Sequence, residues 1–142
     1  MAIYSLANRT TNVTIANACL EIRTTATERA KILEIVITMA AATASVFGIG
    51  RPQAIGVTPT SPVTVLAEEF AEPTGSTVTA LAWGTGPTVP LNLFRRINLP
   101  ATIGAGRVLT FPRGLVIPVS SSIVIWNITA TGVSDIEVVL DE

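Results

Sequence analysis

Residues 30–50 read AKILEIVITMAAATASVFGIG, and the way this stretch folds decides what the rest of the chain can be. It admits three readings: a membrane span, a buried helix, or two buried β-strands. On a helix Ile32, Leu33, Ile35, Val36 and Ile37 would go all round the barrel, with Glu34 interrupting them. Read with period two, Leu33, Ile35, Ile37 and Met39 point one way, and Ile32, Glu34, Val36 and Thr38 point the other. The central β-branched residues lose rotamer freedom in a helix and pack well on a pleated surface. A span needs about 20 apolar residues. Here Glu34, Thr38, Thr43 and Ser45 are spread through the candidate, and no aromatic or basic belt flanks it. The stretch is therefore expected to form two central strands, joined by a turn or narrow crossing through the small residues Ala40 to Ser45.

Working outward, turn residues cut the remainder into short alternating segments. Residues 3–7 read as a first strand, followed by a polar turn through Asn8, Arg9, Thr10, Thr11 and Asn12. Residues 13–23 alternate at both ends, with a bulge or bend near Asn17 and Ala18. Thr25 to Glu28 matches a capping box and predicts a short helical turn through Lys31. Residues 50–62 hold Pro52, Pro59, Pro62, Gly50 and Gly56, which excludes a regular element and predicts a long loop of the contact-making kind. Strands are expected at 63–68, 77–83, 91–99, 107–111, 115–119, 122–129 and 134–140. Between them come turns at Pro112, Arg113 and Gly114, at Ser120 to Ser122, and at Thr131 and Gly132. Short strands spaced by Gly, Pro and Ser turns define an all-β sandwich or barrel. The expectation is one domain over residues 1–142, an antiparallel, jelly-roll-like sandwich of about nine or ten strands.

Composition narrows function by exclusion. Apolar residues make up 49% of the chain and charged residues only 13%, about half the usual share of charge. So little charge leaves apolar surface uncovered, which points to contacts with other chains. The net charge of −1 offers no general attraction to nucleic acid. MAIYSLANRTT has no basic segment running into an apolar core, so no secretion signal is expected.

Histidine is absent, which removes the commonest general base and the commonest metal ligand together. Cys19, the single cysteine, lies in a strand pattern and reads as an inert buried thiol. Zinc and calcium sites lack their ligand sets, and no cofactor is expected. Glu21, Glu34 and Glu137 are the carboxylates a glycosidase would need, but each fits a strand's outward face, so an enzyme is not expected. Glu68, Glu69 and Glu72 read as a solvated acidic corner. Arg95 and Arg96 must point to opposite faces of a strand, one toward water and the other toward a partner or buried carboxylate. Tyr4, Trp83 and Trp126 are candidates for a sugar-stacking platform, Trp83 being the more exposed and Trp126 reading as packed. Three glycosylation-type triplets begin at Asn8, Asn12 and Asn127 and are attributed to chance.

Three features combine: the opening Asn8-Arg9-Thr10-Thr11-Asn12, the central strands running from Lys31 into Gly50-Arg51-Pro52, and an uncharged remainder. In these the chain resembles the small β-sandwich decoration, or cement, proteins of tailed bacteriophage capsids. That resemblance covers most of the chain and carries over no functional residue. It implies a virion protein made in the host cytoplasm, a homotrimer seated on the major capsid protein at the outer capsid surface and stabilising it without chemistry. It implies no nucleic-acid and no membrane partner. On this reading the contact loops are 50–62 and 85–90. The rival class is a carbohydrate-binding, lectin-like jelly roll with Trp83 as its stacking surface.

Overall fold

The computed structural model describes residues 2–10, 17–54, 61–69, 75–76, 78–82, 87–129 and 132–142. In chain order the strands are β1 (Ile3–Arg9), β2 (Asn17–Arg23), β3 (Ala30–Met39), β4 (Ser45–Gly50), β5 (Ser61–Val63), β6 (Leu66–Ala67), β7 (Thr79–Ala82), β8 (Leu93–Leu99), β9 (Gly106–Ile117), β10 (Ser122–Asn127) and β11 (Ser134–Asp141). They form two antiparallel sheets, β6-β1-β11-β3-β9 and β5-β7-β2-β10-β4-β8. Without β5, β6 and β7, the remaining eight strands make two four-stranded sheets, β1-β11-β3-β9 and β2-β10-β4-β8. That is the strand order of a jelly roll with its two Greek keys. The three extra strands arise between β4 and β8 and extend both sheets beyond β1 and β2.

The decisive stretch is two strands, β3 and β4, and they lie in different sheets. The small residues between them form the crossing. Ala40 N donates to Val133 O at 2.9 Å, and a Cβ on Gly132 would meet Thr43 Cβ at 2.8 Å and Ala41 Cβ at 3.0 Å. Larger side chains at 41 and 43 would push the 132–133 backbone away. Among the described residues no helix is long and apolar enough to cross a membrane.

Period two holds within β3 only after a slip. Ile32 pairs with Leu140 and Glu34 with Val139, so Leu33 is an extra residue bulged out of the ladder. The bulge turns Ile32 inward with Ile35, Ile37 and Met39, and all four are buried. Strict alternation had placed Ile32 on the outer face with Glu34. A second bulge sits where the sequence indicated one: Ile125 pairs with Leu20 and Trp126 with Ala18, leaving Cys19 extra in β2.

Four other local expectations are corrected. The capping-box segment forms no helix; Thr25 Oγ1 accepts a bond from Glu28 N at 3.1 Å, and the chain goes straight into β3. Asn8 and Arg9 extend β1, because Asp135 and Ile136 pair with them across the ladder. Residues 63–68 are not one strand: β5 and β6 lie in different sheets. Pro112, Arg113 and Gly114 do not end a strand, since Ile32 pairs with Leu115 and Glu34 with Thr110, which makes residues 111–114 a large bulge inside β9 opposite Leu33. Gly114 takes φ +70° there. Pro112 has no N–H to donate, which an edge strand tolerates; β9 is the edge of its sheet, and β5, which holds Pro62, is the edge of the other.

The inner faces meet in one core that includes Tyr4, Leu20, Ile35, Phe47, Ile97, Ile125 and Ile136. Each fully buried Ile or Phe contributes about 1.5–3 kcal/mol of transfer free energy. A separate small cluster, Ala18, Val124 and Trp126 with Ile128 against it, lies on the outer face of the β2-β10-β4 sheet.

Candidate functional site

The two loops expected to make contacts are brought together by the fold. Their described ends, 51–54 and 87–92, are stitched to each other. Ala54 N donates to Thr88 Oγ1 at 2.7 Å, Thr88 N to Ala54 O at 3.4 Å, and Gln53 Nε2 to Val89 O at 3.4 Å. Gly50 permits the close approach: a Cβ there would lie 2.8 Å from both Asn92 O and Pro90 Cβ. Arg51 then lies over the Phe94 ring, 5.3 Å from its centroid, and donates Nη2 to Val116 O at 3.0 Å. The guanidinium thus clips the loop pair to β8 and to the end of β9. Residues 55–60 and 83–86 lie outside the described residues.

From there a rim runs along β8 and β9, the neighbouring edges of the two sheets. Two shallow open hollows mark it. One, about 250 Å³, is lined by Arg51, Pro52, Gln53, Leu91, Asn92 and Phe94. The other, about 390 Å³, is lined by Arg95, Thr110, Phe111, Pro112, Arg113 and Gly114 at the β9 bulge. Val89, Leu91, Phe94, Ile103, Val108 and Val116 expose apolar surface along the same side. Scattered exposed aliphatics are ordinary, whereas a run along one edge makes this rim the candidate surface.

Arg95 and Arg96 do take opposite faces, yet both are exposed and neither forms an ion pair with a described residue. Arg95 donates Nη1 to Phe94 O at 2.8 Å and stands 6.0 Å from the Phe111 centroid, bridging the two sheet edges through an aromatic face. The sequence carried a signal for this rim that local pattern reading passes over: from residue 73 to residue 134 every charged residue is an arginine, Arg95, Arg96, Arg107 and Arg113.

The carboxylates singled out for chemistry are dispersed. Glu21 is in the β2 sheet, faces away from the main core and is nonetheless fully buried, accepting from Arg23 Nη2 at 2.9 Å and Ser122 Oγ at 2.7 Å. Strand alternation alone had placed it in water. Glu34 and Glu137 share the outer face of the other sheet on diagonal positions of the β3–β11 ladder, which sets their Cα atoms about 7–8 Å apart. Retaining glycosidases set their two carboxyl groups about 5–5.5 Å apart and inverting ones about 6.5–9.5 Å apart, in both cases across a substrate cleft. Glu34 and Glu137 lie on an open sheet face and line neither hollow. Glu68 and Glu69 are exposed, and Glu72 lies outside the described residues.

Cys19 is buried, and desolvation pushes its thiol up to about 12. Tyr4 is in the main core and Trp126 in the outer cluster, so these two form no stacking platform. Trp83 lies outside the described residues. Asn127 is fully buried in β10, which withholds it from glycosylation. Among the described residues no three His, Cys, Asp or Glu side chains converge to hold a metal ion.

By its strand order the protein belongs to the jelly-roll class of β-sandwiches, an architecture found in both capsid and lectin domains. No family model, curated protein or solved structure matches the chain.

Proposed function

We propose that this chain is a structural virion protein that decorates a phage capsid, seated as a homo-oligomer on the major capsid protein at the outer surface and stabilising the shell. Three copies is the number its resemblance implies. The observation that carries the proposal is the loop pair: two Pro-containing loops, hydrogen-bonded at their bases and clipped by Arg51 to Phe94 and Val116, beside exposed Val89 and Leu91. A segment already held in place loses less entropy on docking, so its apolar side chains convert more of their burial into affinity. Fold alone does not assign function, and the argument rests on this surface.

The test is co-sedimentation of the purified protein with capsid shells that lack it, followed by electron microscopy of the decorated particles. Bound density with the 51–54 and 87–92 loops against the shell supports the proposal. Protein that stays in the supernatant at every concentration overturns it. Leu91→Asp should weaken binding at least tenfold while leaving the unfolding transition in place, because Leu91 is exposed.

A further inference from the structure

The two lateral edges of the sandwich carry opposite charge. At the β8–β9 edge stand Arg95, Arg96, Arg107 and Arg113, all exposed and none ion-paired to a described residue. Exposed Phe94, Val108 and Val116 lie among them. At the far edge the two-residue strand β6 pairs with β1, and Glu68 N donates to Ile3 O at 2.9 Å. This places Glu68 and Glu69, both exposed, beside exposed Leu66 and Ile3, close to Asp141 at the end of β11. Of the nearby cations, Arg9 is bound to Asp135 by bonds of 2.6 and 2.7 Å at the opposite end of β1, while exposed Arg29 and Lys31 stand at the start of β3, two strands away from β1, Lys31 in register with Asp141 without an ion pair to it. Four strand spacings separate β9 from β6, about 20 Å.

A positive apolar edge and a negative apolar edge on one chain complement each other only between copies, since they face away from each other within one. We infer that the β8–β9 edge of one copy docks on the β6 corner of the next, a head-to-tail contact that generates a ring where the rotation closes. This inference rests on the assembly reading above and names the surfaces by which the copies meet. The contact is made by side chains and not by continuing a sheet. The bulge at Pro112, Arg113 and Gly114 breaks the free ladder of β9, and β6 offers only two residues to pair with. Charge complementarity across such a contact sets its register and its salt dependence.

The experiment is sedimentation velocity of the full chain, with two charge-reversed variants, R95E/R113E and E68R/E69R. The wild type is expected to associate at micromolar concentration and to weaken at least tenfold between 50 and 500 mM NaCl. Each variant alone is expected to weaken at least tenfold. An equimolar mixture of the two is expected to recover association as pairs and even-numbered assemblies, because the reversed positions 95 and 113 of one variant then meet the reversed β6 corner of the other. Circular dichroism melts confirm that both variants fold. A monomeric wild type at 100 μM, a variant that associates as tightly as wild type, or a mixture that fails to recover overturns the inference. The shells separate this inference from the capsid proposal. A monomer that still binds them overturns the ring and spares the capsid reading, whereas a ring sensitive to both reversals that ignores them does the opposite.

Discussion

Replacing Glu21 tests the least expected polar feature of the fold. Its carboxylate is fully buried and holds two groups, the Arg23 guanidinium, whose side chain is 23% exposed, and the buried Ser122 hydroxyl. Removing one member of a buried ion pair costs about 3–5 kcal/mol, because the other charge is left without compensation. Partial exposure of Arg23 places Glu21→Leu toward the lower end, and the abandoned Ser122 hydroxyl adds to it, giving about 3–4 kcal/mol. For 142 residues the entropy of unfolding is about 300 cal/mol/K, so the Tm should fall by about 10 °C. Glu21→Gln keeps the shape and a hydrogen bond to Ser122 and should lose about 1–2 kcal/mol. The double variant E21L/R23L removes both charges and should recover to within about 1 kcal/mol of wild type. Urea unfolding followed by tryptophan fluorescence, with calorimetry beside it, measures all three. If Glu21→Leu costs under about 1 kcal/mol, or if the double variant is no more stable than the single, pairing is not what fixes this site.

Three further outcomes follow from the geometry. Gly50→Ala puts a Cβ 2.8 Å from Asn92 O and Pro90 Cβ, so the 90–92 backbone must move at about 1–3 kcal/mol; Gly75→Ala meets nothing within 4 Å and should stay within about 0.5 kcal/mol, and equal urea midpoints for the two would sink this account. The hydrogen bonds and charge of Arg9 hold the Asp135 carboxyl below its ordinary value, so the pair contributes stability above the unfolded aspartate pKa of about 3.9 and loses it as pH falls through the lowered folded value. Arg9→Ala should move the Asp135 midpoint up in a carboxyl NMR titration, and since both side chains are well exposed the change in stability at pH 7 should be small; an unmoved midpoint would remove Arg9 as the cause. Cys19, buried with its pKa pushed up to about 12, should ignore a thiol-specific disulfide reagent at pH 8 until urea unfolds the chain, and prompt reaction of the native protein would contradict that burial.

Fold class was legible because it is written locally. Turn residues at short intervals and β-branched runs mark strands wherever they fall, and residues 30–50 resolved correctly into two strands and a small-residue crossing. What escaped was set by partners distant in sequence. Whether Leu33 bulges depends on how β11 and β9 align beside it, and nothing in the local pattern records that alignment. Pro112, Arg113 and Gly114 have turn chemistry and serve as a bulge because β3 runs on past them. Glu21 looks like a surface carboxylate until Ser122, 101 residues away, arrives next to it. For the site, the prolines of the two loops were visible, but their mutual hydrogen bonds were not. The arginine edge was written in the charge order of residues 73–134 and becomes a surface only when β8 and β9 stand at neighbouring edges.

The placement of β10 and β11 bears on when this fold can be completed. These two strands, which follow all the others in sequence, occupy interior positions in both sheets: β10 lies between β2 and β4, and β11 between β1 and β3. A nascent chain that has not yet delivered residues 122–141 therefore holds two half-sheets, each with a slot one strand wide and open backbone on both sides. No shorter piece can close both sheets early, and such slots are a hazard for pairing with foreign strands while they last. Insertion of these two strands, one into each sheet, is then the step that completes the sandwich: both four-stranded sheets become continuous only once β10 and β11 are in place.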